Sequence, residues 1–365
     1  VVITTSDDER WMARAIFHAA RGRGRTSPNP LVGAVVVSPD GVVVGQGFHE
    51  RAGEAHAEVH ALTSAGPYAR GATLYCSLEP CCHQGRTGPC APRIVEAGIA
   101  RVVAAVEDPN PLVRGEGLAF LRARGVRVEV GPGAARALAL NQPFFTLVRE
   151  RRPFVILKAA TSLDGCIAGA PGTRTWLTSA VANRHAHRVR SEVDAIGVGV
   201  GTLLIDDPEL TPRGPFRERR LTRVVFDRRL RTPPGARVLS TLEAGPVIIM
   251  TTADGASRTT ARAALEARGA EIAVAHDGTV RSALALLGGR DVVSILLEGG
   301  AALHAAAWDE QVVDYVRLYV APRTLGARGV RLLPDRSFSS ADLVDRRIEQ
   351  LGPDVMIEGY VHRPH

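Results

Sequence analysis

The sequence predicts an α/β protein built as two successive layered domains. Three observations carry this: strands and helices alternate along the chain, 365 residues exceed one ordinary core, and a charged, turn-prone run divides the alternation. That run is Val148-Arg149-Glu150-Arg151-Arg152-Pro153, which sets domains of 1–147 and 148–365.

In the first domain, Trp11, Ala15 and His18–Ala19 recur at helical spacing, so a helix is expected over Asp7–Arg21. Ser27-Pro28-Asn29-Pro30 breaks it. Leu31–Val37 and Val42–Gly47 flank Pro39-Asp40-Gly41 and read as a hairpin. Helices are expected over His56–Ala65, Pro89–Ala97 and Gly117–Arg124, and strands over Ala72–Ser77, Arg101–Val106 and Val126–Val130. Gly131-Pro132-Gly133 and Asn141–Pro153 read as the transition. The second domain has strands over Val155–Ala159, Ala195–Val200, Arg223–Phe226, Pro246–Met250, Val292–Leu297 and Tyr315–Val320, with a helix over Ala301–Trp308.

Composition narrows the function classes. Hydrophobic residues at 45% and charged residues at 23% suit a globular protein, and no apolar run reaches the length of a bilayer span. Val1–Arg10 is polar and acidic, unlike a secretory leader, so a cytoplasmic protein is expected. Four of the five cysteines cluster, which favours a metal site over disulfides. The net charge of +7 fits either biased Arg usage or an anionic partner. Scattered Arg and few aromatics favour small phosphates over nucleic acid. A nucleic-acid-modifying deaminase with an appended binding domain is the competing reading.

The chemistry is concentrated in His56-Ala57-Glu58, Pro80-Cys81-Cys82 and Pro89-Cys90. His56, Cys81 and Cys90 can supply three ligands to Zn²⁺, and a fourth position left to water marks a catalytic rather than a structural ion. Glu58 is then the proton carrier between that water, a ring nitrogen and a leaving amine. Cys82 adjoins a ligand too closely to be one itself, and Cys76 reads as core.

The segment Leu78-Glu79-Pro80-Cys81-Cys82-His83-Gln84-Gly85-Arg86-Thr87-Gly88-Pro89-Cys90, with eight residues between its outer cysteines, resembles the bifunctional pyrimidine deaminase–reductases of riboflavin biosynthesis. So do Ser27–Gly33, His49 with Gly53 and Glu54, Asp108-Pro109-Asn110-Pro111, Leu157-Lys158, Ser162-Leu163-Asp164-Gly165, Trp176-Leu177-Thr178, Gly199-Val200-Gly201-Thr202, Asp206-Asp207-Pro208, Leu210-Thr211-Pro212-Arg213 and Glu298-Gly299-Gly300. The resemblance implies a cytidine-deaminase-like three-layer domain followed by a dihydrofolate-reductase-like domain. It implies deamination of 2,5-diamino-6-ribosylamino-4(3H)-pyrimidinone 5′-phosphate, then NADPH-dependent reduction of the ribose to a ribityl chain. It also implies assembly into a homo-oligomer.

For the deaminase pocket, Arg86 is the candidate phosphate ligand, since its fork suits phosphate. Asn29 is a candidate for a pyrimidine edge or a turn residue between prolines. His49 and His83 are candidates for ribose or base contacts, or satisfied structural histidines.

For the reductase, Leu297-Glu298-Gly299-Gly300 reads as strand, turn and helix start, which aims backbone N–H groups at a pyrophosphate. Gly197, Gly199 and Gly201 alternate as at a strand end that something approaches closely. Arg228, just past a strand, suits a 2′-phosphate, or stands in a solvated loop. Lys158, Asp206 and Glu298 are the polar candidates around the reacting ribose. Lys158 would bind hydroxyls or polarise the aldehyde formed on ring opening. Arg190 and Arg213 are candidates for the substrate phosphate, or ion-pair residues. The resemblance places Thr161, Trp176, Thr202 and Asp206 at cofactor contacts and Leu210 at a substrate contact. Arg174 stands where the family often carries a substrate-contacting Ser.

Overall fold

A computed structural model describes residues 5–84, 88–214, 218–334, 336 and 338–362. The chain divides between Glu150 and Arg151 into two compact units, three residues beyond the boundary expected from the charged run. Arg151 takes a left-handed φ of 55° at the junction.

The first unit runs α1 (Thr5–Ala20), β1 (Gly33–Val37), β2 (Val43–Phe48), α2 (Ala57–Ala65), β3 (Thr73–Cys76), α3 (Cys90–Glu96), β4 (Arg101–Ala104), α4 (Glu116–Arg122), β5 (Arg127–Val130) and α5 (Ala134–Glu150). Its sheet has the order β2-β1-β3-β4-β5. The hairpin strands β1 and β2 are antiparallel, β1 is antiparallel to β3, and β3, β4 and β5 run parallel. Strands β1, β3 and β4 are buried almost throughout, as a strand covered on both faces must be. One face packs Ala57, Ala61, Leu74, Ile94 and Val102, and the other Met12, Val35, Tyr75, Val103 and Phe145.

Helix α5 corrects the sequence reading, which placed a transition over Asn141–Pro153. Pro143 lies inside this 17-residue helix, where it removes a backbone donor. Tertiary bonds outweigh that cost: Asn141, 2% exposed, accepts from the Leu31 amide at 2.8 Å and donates to the Leu31 carbonyl at 2.9 Å.

The second unit runs β6 (Phe154–Ser162), β7 (Cys166–Ala168), α6 (Ala180–Glu192), β8 (Ala195–Gly199), α7 (Val200–Asp206), β9 (Thr222–Phe226), β10 (Val247–Thr251), α8 (Ala253–Ala256), α9 (Thr259–Glu266), β11 (Glu271–Val274), α10 (Val280–Gly288), β12 (Ser294–Leu297), α11 (Ala301–Asp309), β13 (Tyr315–Ala321), β14 (Val330–Arg331), β15 (Val344–Leu351) and β16 (Asp354–Tyr360). Its main sheet has the order β11-β10-β9-β8-β12-β6-β13-β16-β15. The strands from β11 to β13 are parallel, and β16 and β15 add antiparallel pairs at one edge. Apolar clusters cover both faces, one around Leu157, Ile295 and Leu297 and the other around Ile196, Val225 and Leu296. Strand order reverses where β12 inserts between β8 and β6, and in open α/β sheets ligands bind beyond the carboxyl ends of strands at such a point. The alternation of Gly197, Gly199 and Gly201 crosses an element boundary, because Gly201 already belongs to α7.

Candidate active site

The first centre is assembled from two helix starts and the loop between them. His56 is the N-cap of α2 and Glu58 lies in its first turn. Helix α2 lies directly on β2 because two strand residues are glycine. A Cβ at Gly45 would come within 2.1 Å of the Ala61 carbonyl, and one at Gly47 within 2.4 Å of the His60 Cβ. Cys90 is the first residue of α3, and the amides of Cys90 and Ala91 each donate to the Cys81 carbonyl at 3.0 Å. That pair of bonds fixes both cysteines relative to one helix N-terminus, whose partial positive charge favours thiolate.

His56, Cys81 and Cys90 place their ligand atoms within 4.8 Å of one another. Nδ1 of His56 lies 3.5 Å from Cys81 Sγ and 3.3 Å from Cys90 Sγ. A tetrahedral zinc with Zn–S of ~2.3 Å and Zn–N of ~2.0 Å needs such edges to be about 3.5 Å, so the residues fit the ion. Cys82 is outside this cluster. The bond from Cys90 holds the Cys81 thiol down to about 4, with His56 adding to the effect, and Cys90 is raised in turn. Burial pushes the Glu58 carboxyl up to about 7. Its Oε2 is buried without a hydrogen-bond partner among the described residues, which suits a group that waits for a proton.

Around this centre, His49 stands edge-on to His56 with ring centroids 5.5 Å apart. Its Nδ1 donates to the Ala55 carbonyl at 3.1 Å, and its Nε2 accepts from Asn29 Nδ2 at 3.0 Å. Burial lowers its pKa, which favours the neutral ring. Both nitrogens of His49 are thus engaged within the protein, and Asn29 is oriented by it. His83 Nδ1 is buried with no partner among the described residues. Arg86 lies outside the described residues.

Glu79 has a role that sequence reasoning passed over. It is 4% exposed, and its Oε1 accepts from the amides of Gly117 and Leu118 at 3.0 and 3.2 Å. Its Oε2 accepts from Gly115 at 2.9 Å and Asp108 at 3.1 Å. One carboxylate therefore caps the start of α4 and ties the 108–117 loop to the residues preceding Cys81. The only sequence signal was an acidic residue in an apolar stretch immediately before a ligand.

In the second unit three groups of the expected residues come together. Glu298, just past β12 and 5% exposed at its side chain, takes Arg190 Nε and Nη2 at 2.6 and 2.7 Å. Lys158 Nζ, on β6, lies 3.7 Å from Glu298 and 5.6 Å from the Tyr319 ring centre. Burial lowers the Lys158 pKa. Burial alone would raise the Glu298 carboxyl, but the Arg190 and Lys158 charges overcome it and hold it down to about 2.

The second group is the Gly-Gly turn. A Cβ on Gly299 would stand 2.9 Å from Thr202 Oγ1 and 3.1 Å from Val198 Cγ1. Gly300 takes a φ of 71° as it enters α11. A glycine turn, the start of α7 and the N-terminus of α11 thus meet at the strand-order reversal, a cradle that fits a pyrophosphate.

In the third group Arg174 stacks on Trp176, with its Cζ 4.2 Å from the ring centre, and its Nε lies 3.8 Å from Asp206 Oδ1. Trp176 is 67% exposed. Thr161 is buried near the carboxyl end of β6.

Four other expected site residues, Arg190, Leu210, Arg228 and Arg213, differ in their surroundings. Of the two readings of Arg190, phosphate ligand or ion-pair residue, the geometry displays the ion pair: its guanidinium binds Glu298 and the Thr211 carbonyl at 3.1 Å. The Leu210 side chain is 3% exposed within an apolar cluster and its φ is 55°, so a substrate contact at this position would fall to its main chain. Arg228 follows β9 as expected, yet its guanidinium lies against Gly278 and joins none of the three groups by a bond among the described residues. Arg213 remains exposed beside Glu209, 3.8 Å away.

Fold and centres together define a class: a zinc-binding deaminase unit followed, on one chain, by a reductase unit of dihydrofolate-reductase-like fold. The family model for the cytidine and deoxycytidylate deaminase zinc-binding region matches residues 5–106, and that for the RibD C-terminal domain matches residues 153–357. The riboflavin biosynthesis protein RibD of Aquifex aeolicus is 38% identical over 356 residues, which is 96% of this chain and 97% of that protein. That of Escherichia coli is 38% identical over 370 residues, 96% of this chain and 98% of that protein. Among solved structures, form 1 of Acinetobacter baumannii RibD matches with a TM-score of 0.86 at 35% identity, covering 97% of this chain and 99% of that one. A Thermotoga maritima protein described as a diaminohydroxyphosphoribosylaminopyrimidine deaminase/5-amino-6-(5-phosphoribosylamino)uracil reductase matches at 0.83 and 35% identity, covering 97% and 98%. The chain belongs to the RibD family.

Proposed function

We propose that this chain carries out two consecutive steps of riboflavin biosynthesis. The first is hydrolytic deamination of 2,5-diamino-6-ribosylamino-4(3H)-pyrimidinone 5′-phosphate. The second is NADPH-dependent reduction of the ribosyl group, giving 5-amino-6-ribitylaminouracil 5′-phosphate. The observation that carries the first step is the buried Glu58 Oε2, without a partner among the described residues, beside three convergent metal ligands.

Zinc, when held by His56, Cys81 and Cys90, supplies a water acidified toward a pKa of ~7. Glu58, raised by burial to about 7, takes one proton of that water at Oε2 and passes it to the ring nitrogen, then carries the second, from the added hydroxyl, to the departing amine. Water oxygen becomes the ring carbonyl, the C–N bond breaks and ammonia leaves. The neutral His49 orients Asn29 toward hydrogen bonding with the pyrimidine edge.

NADPH, when bound, supplies a hydride to C1′ of the opened sugar. Gly299, Gly300 and Thr202 would hold its pyrophosphate, and Trp176 and Asp206 would be further cofactor contacts. Opening of an N-ribosyl amine leaves an electrophilic C=N carbon at C1′. Lys158, kept beside Glu298 by charge, binds the sugar hydroxyls, and when the hydride adds to C1′ the C=N electron pair passes to the nitrogen, which takes a proton from water. Arg213 serves the substrate phosphate, and Arg190 holds Glu298 in place. Incubation with the diaminopyrimidine ribotide and NADPH should release ammonia and oxidise NADPH. Zinc-replete protein lacking both activities would overturn the proposal.

A further inference from the structure

The segment that carries Leu210 and Arg213 is stitched to α6 at two points. Arg190 Nη1 donates to the Thr211 carbonyl at 3.1 Å, and the Arg213 amide donates to His187 Nδ1 at 3.1 Å. His187 and Arg190 are three residues apart on a helix, so they share a face. The same Arg190 grips Glu298. Position of the segment is thereby coupled to the Lys158–Glu298 pair.

The second stitch has a chemical condition. A backbone N–H can only donate to a ring nitrogen that carries no proton, so the Arg213 bond exists for neutral His187 with its hydrogen on Nε2. Protonation turns Nδ1 into a donor facing another donor. It also sets a cation against Arg190 Nη1, 3.5 Å from the same nitrogen.

We propose that His187 is a positioning residue of the reductase site, holding the 210–213 segment in its substrate-binding arrangement only while the imidazole is neutral. The inference rests on the reading of Arg213 as the phosphate partner. The charged groups facing His187 are Arg190 on its own helix, Arg213 on the segment, Lys158 on β6 and Glu298 after β12. Burial and the three cations lower its pKa from the ordinary 6.5, against the opposing pull of Glu298, so the neutral form prevails at neutral pH.

The test uses the full chain, supplied deaminated ribotide and NADPH, with KM and kcat measured from about pH 5.5 to about pH 8. KM of the wild type should rise about five- to tenfold as pH falls across the imidazole titration, with kcat changing little. His187→Asn places an amide oxygen where Nδ1 was, without a titrating proton. It should keep the low KM and remove the His187 part of the pH dependence. His187→Ala should show the high KM throughout. The ribotide phosphate titrates near pH ~6 in every variant, so its contribution cancels in the comparison. A His187→Asn profile that matches the wild type, or a His187→Ala KM equal to the wild type at high pH, would overturn the inference. Wild-type protein that reduces no ribotide at any pH would instead overturn the reductase reading beneath it.

Discussion

Arg190 closes on Glu298 through two parallel hydrogen bonds of 2.6 and 2.7 Å, across 108 residues of sequence. Both side chains are mostly buried, at 19% and 5% exposure, so neither charge has much water to fall back on. Removing Arg190 would leave Glu298 only Lys158, 3.7 Å away, so the loss stays below that of a fully stranded buried charge, at about 2–3 kcal/mol. Arg190→Met should therefore destabilise the chain by about that amount, read from chemical denaturation, and should depress ribotide reduction far more than deamination. Equal loss of both activities in a folded variant would contradict the placement of this pair in the reductase site.

Glu58→Gln separates the two centres from the other side. The amide keeps the volume and removes the proton carrier. Zinc content, measured by atomic absorption, should stay near one per chain, because His56, Cys81 and Cys90 are untouched. Ammonia release should fall about 10²–10⁴-fold, the usual worth of a positioned acid–base group. NADPH consumption with supplied deaminated ribotide should be unchanged.

What could be read in the sequence was what is local. His56 and Glu58 fall at one helix start and Cys90 at another, so the first centre follows from short spacings and helix signals. The Gly299–Gly300 turn was legible for the same reason. The Arg190–Glu298 pair was not, because Arg in a polar helix is ordinary until the sheet brings β12 beside it. Helix α5 was hidden by Pro143, whose cost is met by Asn141 binding the backbone of Leu31 from 110 residues away. The motif around Leu210 was recognisable, but only the packing shows that its side chain turns into the core.

Glu79 offers a test of how the metal loop is held. Its carboxylate accepts four backbone N–H groups, from Asp108, Gly115, Gly117 and Leu118. Glu79→Gln leaves one acceptor oxygen and turns an NH₂ group toward two of those donors. Groups that orient a metal ligand commonly contribute 10–100-fold to affinity, so zinc retention against a chelator should fall by about tenfold. Stability should drop by about 1–3 kcal/mol. Zinc affinity equal to that of the wild type would show that the loop holds its shape without this anchor.

His304 sets a pH limit on stability. It lies on α11, 2% exposed, with Nε2 3.3 Å from the Leu297 carbonyl and Nδ1 without a partner among the described residues. Burial holds the folded imidazole down to about 4, against an ordinary 6.5 in the unfolded chain. As pH falls, the unfolded chain takes the proton first. The stabilisation is therefore fully present above about 6.5, shrinks as the unfolded chain protonates, and is lost as pH falls through about 4. The difference amounts to about 3 kcal/mol. His304→Leu keeps an apolar group of similar size there and removes the titration. Its denaturation midpoint should fall less than that of the wild type between about pH 7.5 and about pH 5. The other histidines with lowered pKa values, His18, His49, His185 and His187, contribute equally to both proteins, so only the gap between them reports His304. Parallel pH profiles would mean that the folded imidazole accepts its proton as readily as the unfolded one.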